Sequence, residues 1–114
     1  VQISGGKLLY CVDIYDYEFV DSYIQGEVSR CDFFGCNVFG SDTMDCNFYQ
    51  STDIISSKVK TSYVSDSCKL RDCYVYGKGI LKGSMDGGIF REGIYDKNKA
   101  RFSKETEKID YIEI

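Results

Sequence analysis

The sequence predicts an all-β solenoid on three observations. Apolar residues recur about every five positions from Ile14 to Ile80, through Phe19, Ile24, Val28, Phe33, Val38, Thr43 or Met44, Phe48, Ile54, Val59, Val64, Leu70 and Val75. Neither the 3.6-residue period of a helix nor the 2-residue period of a simple strand generates that spacing. Two residues before most of these positions stands a small side chain: Cys31, Cys36, Ser41, Cys46, Thr52, Ser57, Ser62, Cys68 and Cys73. Finally, the chain has no proline, 11 glycines, 10 tyrosines and 7 phenylalanines, a composition suited to strands joined by tight turns. A sustained internal repeat of this kind buries its apolar face only by stacking unit on unit.

With 114 residues the chain is expected to form one core. Its formal charge of −4 is the wrong sign for nucleic acid, which needs a basic face. The charge is segregated: residues 1–57 hold two basic and nine acidic side chains, residues 58–114 twelve and nine. No apolar run approaches the roughly 20 residues that span a bilayer, so no membrane partner is expected. The chain opens on Val1 rather than Met, as a processed product or a piece of a longer protein would.

In chain order, residues 1–9 read as a leading cap, since the rhythm has not yet begun. Residues 10–83 carry the repeat. Asp32, Asn37, Asp42, Asn47 and Asp53 fill the slot between small and apolar residue, and Gly35, Gly40 and Gly77 follow two after the apolar one. The units "CDFFG", "CNVFG", "CNFYQ", "CKLRD" and "CYVYG" resemble those of the pentapeptide-repeat family, with registers that slip near Val28, Ile54 and Leu70.

That resemblance implies a right-handed β-helix of square section, about four repeats per coil and about three and a half coils. Folded at that pitch, Ile14, Phe33, Ile54 and Val75 would share one inward column, and Phe19, Val38, Val59 and Ile80 the next. Phe33, Val38, Phe48, Val59, Val64 and Leu70 are expected to be almost wholly buried. The residue after each inward one would face out, so Tyr15, Phe34, Ile55 and Tyr76 would form one apolar strip, extended on the neighbouring face by Val20, Phe39 and Leu81 and interrupted there by Lys60. This strip is the candidate interface.

Residues 84–114 break the rhythm. "GSMDGGIFREGIYDKNKARFSKETEKIDYIEI" offers strand-like runs around Ile89 to Tyr95, Ala100 to Ser103 and Ile109 to Ile114, and is expected to be a β-strand or hairpin cap or docking element over the open end. Over residues 68–114, the cysteine-rich five-residue repeat combined with the "GGIFREG" exit and the "TEKI" ending also resembles C-terminal segments of structural proteins of large tailed bacteriophages.

The cysteines are the sharpest chemical candidates. Zinc would draw on the pairs Cys31/Cys36 and Cys68/Cys73, but their spacing is C-x4-C and the chain holds no histidine to complete a site. The small inward slot already accounts for Cys31, Cys36, Cys46, Cys68 and Cys73, where a thiol is a compact hydrophobe. No metal, cofactor or disulfide is therefore expected, Cys46 and Cys68 are expected on adjacent coils of one column, and reduced thiols point to a virion or host-cytoplasm location.

Without histidine there is no ready general base near neutral pH and no Ser-His-Asp arrangement. "GKGILKG", residues 77–83, lacks the ending of a phosphate loop and reads as a closing turn. Asp13, Asp16, Glu18 and Asp21 lack the spacing of a calcium loop and read as a solvated acidic face. The expectation is a non-enzymatic structural and assembly module, a virion component if the phage resemblance holds, whose partners are other protein subunits: further copies of itself or virion proteins. The alternative the repeat family implies is an acidic DNA mimic that binds a topoisomerase.

Overall fold

A computed structural model describes all residues, 1–114. The chain has no helix; twenty short strands, all paired in parallel, wind into a β-solenoid of about seven turns measuring 34 × 22 × 21 Å.

Each turn has three sides. The first face stacks Gln2–Ser4, Glu18–Val20, Asp32–Phe34, Asn47–Tyr49, Tyr63–Val64, Ile80–Leu81, Ile94–Tyr95 and Ile112–Glu113. The second stacks the starts of Lys7–Tyr15 and Tyr23–Ser29 under Asn37–Phe39, Asp53–Ile55, Lys69–Arg71, Ser84–Asp86 and Arg101–Phe102. The third stacks the ends of those two long strands under Asp42–Met44, Lys58–Lys60, Tyr74–Tyr76, Ile89–Arg91 and Glu107–Ile109.

The five-residue unit explains each side. A small residue turns inward at the corner, the next faces out, the apolar residue faces in, the fourth faces out, and the fifth turns the chain. Gly35, Gly40, Asp45, Ser56, Thr61, Asp72, Gly77, Gly87 and Glu92 fill the fifth position with φ between 51° and 80°. That left-handed conformation is easiest for glycine, with Asp and Asn next.

Three units make a coil, so Phe19 pairs in register with Phe33 near one end of the rod and Tyr95 with Glu113 at the other. The square section of about three and a half coils is thus corrected to a triangular one of about seven. Phe33 stacks between Phe19 and Phe48, not between Ile14 and Ile54. The repeat encodes the length of a side; it is silent on how many sides close a turn.

The inward columns form the core. Phe19, Phe33 and Phe48 are fully buried and stack with ring centroids 5.3 and 5.1 Å apart, and the column continues through Val64, Leu81 and Tyr95. Ile24, Val38, Ile54, Leu70 and Met85 line the second face; Val28, Thr43, Val59, Val75 and Phe90 line the third. The six residues singled out for burial are all no more than 1% exposed.

The corner slots form three further columns: Ser22, Cys36, Thr52, Cys68, Gly83; Ser41, Ser57, Cys73, Gly88; and Cys31, Cys46, Ser62, Gly79, Gly93. Hydroxyls here accept from the backbone one coil earlier: Cys36 N–H donates to Thr52 Oγ1 at 3.2 Å, Ser41 N–H to Ser57 Oγ at 3.0 Å and Cys46 N–H to Ser62 Oγ at 3.3 Å. No buried polar side-chain atom lacks a partner.

Two segments differ from expectation. Residues 1–9 already belong to the first coil, because Gln2–Ser4 pairs with Glu18–Val20. Residues 84–114 continue the same parallel stack in place of a hairpin; glycines take the small slots there, which hides the repeat. "GKGILKG" is accordingly a side of the solenoid, with Gly79 and Gly83 at its corners. At the C-terminal end the inward positions pass to Lys108 and Glu113. The Lys108 ammonium sits 4.8 to 5.3 Å from the ring centroids of Phe102, Tyr95 and Tyr111, closing the core with charge.

Candidate interaction surface

The core is filled by side chains, and the outward positions carry the exposed groups. The predicted strip does not form. Tyr15 and Tyr76 lie on the third face, Phe34 on the first, and Phe39 and Ile55 on the second, where they are neighbours in register. Leu81 is not outward at all: it is 1% exposed, and Ile80 takes the outer position at 37%. Lys78 is an extra residue between the turn at Gly77 and the corner at Gly79, and because sides alternate with period 2, one added residue exchanges inside for outside. The columns themselves dissolve because each coil closes after three units, not four.

The first face carries a different apolar band. Val20, Phe34 and Tyr49 occupy the position after the inward residue in three successive coils; Tyr63, Ile80, Ile94 and Ile112 occupy the position before it in the next four. The band therefore runs diagonally. Phe34 and Tyr49 stack at 5.1 Å, Tyr49 tilts against Tyr63 at 5.7 Å, and the Lys82 ammonium lies 5.4 Å over Tyr63. Burial and the nearby Asp32 carboxylate push the Tyr49 phenol up.

The third face is a shallow groove of about 510 Å³ with segregated charge. Asp13, Glu27 and Asp42 line one side in three successive coils, and Lys58 follows in the fourth. On the other side run Ser29, Met44, Lys60, Tyr76 and then Arg91. Tyr74 and Tyr76 stack at 4.6 Å, and the neighbouring Tyr74 raises the Arg91 guanidinium further. At the adjoining corner Arg30 pairs with Asp16 at 3.0 Å and covers Tyr15 at 5.1 Å, so that part of the acidic cluster is a neutralised edge. Glu27, Asp42 and Lys58 have no place in the predicted interface, and Lys60 enters it only as an interruption; laying the sequence out at three units per coil aligns the four.

The cysteines make no site. All six are free, five are buried, and no group of His, Cys, Asp or Glu is arranged to hold a metal ion. The adjacent-coil pair is Cys31 and Cys46, not the expected Cys46 and Cys68, which stand in different columns. Burial raises every thiol, Cys46 to about 12, which keeps them protonated and unreactive near neutral pH.

Compared with protein families, with curated proteins and with solved structures, the chain shows no match.

Proposed function

We propose that the chain is a non-enzymatic structural and assembly module: a rigid rod whose outer faces contact other proteins. The observation that carries this reading is the diagonal band from Val20 to Ile112 across an otherwise polar first face. Contiguous apolar surface on a rod of this size marks an interaction site more often than decoration. A core filled by side chains leaves binding on the outside as the natural use of the scaffold. A place in a bacteriophage particle belongs to this proposal and rests on the resemblance carried by the cysteine-rich repeat with its "GGIFREG" exit and "TEKI" ending, residues 68–114. The DNA-mimic reading is weaker, because the acidic half ends at Asp53 and residues 58–82 hold six basic and two acidic groups.

Photo-crosslinking tests the assembly reading. A benzophenone amino acid at Tyr49 or Ile80, in the organism that makes the protein, should give discrete protein adducts that the same probe at Arg71 on the second face does not. Absence of any adduct specific to the first face contradicts it.

A further inference from the structure

We infer that the third face is a self-complementary docking surface for a second copy of this chain, with the two rods antiparallel. This rests on the reading of the rod as an assembly module and names one of its partners. The outward side chains before each inward residue on that face are, coil by coil, Asp13, Glu27, Asp42, Lys58, Tyr74, Ile89 and Glu107: three acids, then a base, two aromatic or apolar groups and a last acid, Glu107, which has no counterpart across the axis described next. After each inward residue, the basic groups likewise follow Met44, as Lys60 and Arg91.

A two-fold axis lying along the strand direction, between Asp42–Met44 and Lys58–Lys60, inverts the rod while leaving strand direction unchanged. It sets Asp42 opposite Lys58 of the second copy, Glu27 opposite Tyr74 and Ser29 opposite Tyr76, each pair occurring twice by symmetry. Lys60 then stands opposite Met44, its ammonium beside the Asp42–Lys58 pairs. The parallel arrangement, with the axis along the rod, would instead lay the acidic third of one copy on the acidic third of the other, so charge selects the antiparallel one.

The face is narrow. Of its seven strands, the six that overlap across this axis, at about 4.8 Å spacing and each roughly 10 Å long, cover only about 300 Å² per copy, against the roughly 800 Å² of a standard stable interface. The association is therefore weak, reversible and sensitive to salt.

Sedimentation velocity at increasing concentration tests it, together with two opposite charge reversals, Asp42→Lys and the pair Lys58→Glu with Lys60→Glu. The native chain should dimerise at low salt, with a dissociation constant at least roughly tenfold higher at about 0.5 M salt. Each reversal alone should give a monomer, and an equimolar mixture of the two should restore a dimer, which also shows that both variants are folded. A native chain that stays monomeric at low salt, a dimer indifferent to either reversal, or a mixture that stays monomeric would overturn the inference. Crosslinks from Tyr49 or Ile80 to another protein would leave the assembly reading standing in that event, and their absence beside an intact dimer would remove only the first face from that reading.

Discussion

Thr52 shows how much a single corner slot does. Its side chain is fully buried, its hydroxyl donates to the Tyr49 carbonyl at 2.8 Å, and it accepts from Cys36 N–H. Thr52→Ala should cost about 1 to 3 kcal/mol in denaturant unfolding, because it strands a buried N–H, while Thr52→Ser should recover most of that. Equal losses for the two variants would assign the effect to the missing methyl. The thiols make a second prediction. At pH 8 a disulfide reagent should modify at most one thiol of the folded chain, Cys11, which is only partly buried, and all six after unfolding. Since burial lifts the folded thiols above their ordinary value near 9, the unfolded chain releases these protons first. Their contribution is whole below about pH 9 and is lost as pH rises toward the value of about 12 for Cys46. A denaturation midpoint that does not fall between pH 8 and 10.5 would contradict that burial.

The strands are too short to stand alone, and their stability comes from stacking. Phe48 packs on Phe33 with its own backbone paired above and below, so Phe48→Ala should cost about 3 to 5 kcal/mol. Calorimetry showing a loss below about 1 kcal/mol would mean that the ring is not in the column. At Gly88, φ is +77° and a Cβ would overlap the Cys73 carbonyl oxygen, so Gly88→Ala should destabilise through both strain and contact. The middle of the chain was legible because each side repeats small, polar, apolar, polar and turn residue, which marks Phe33, Val38, Phe48, Val59, Val64 and Leu70 as core. The C-terminal sides were not, since Gly79, Gly83, Gly88 and Gly93 hold the small slots and read as turns, and Lys78 shifts the alternation so that Leu81 goes inside.

At the scale of the whole molecule, the polarity along the axis and the diagonal band both depend on how many sides close a coil. Sequence periodicity cannot supply that number, because a five-residue unit fits a triangle or a square equally well. Placing Tyr15, Phe34, Ile55 and Tyr76 in one strip followed from choosing the square; with three sides they spread over all three faces. The acid-to-base sequence Asp42, Lys58 on the third face appears only after that choice is corrected. Nuclear Overhauser contacts between core side chains measure the choice most directly. Three sides place the Phe33 ring against Phe19 and Phe48 and the Val38 methyls against Ile24 and Ile54, each pair separated by one coil of three units. Contacts joining Phe33 to Ile54 and Val38 to Val59 instead, each pair separated by four units, would contradict the three-sided solenoid.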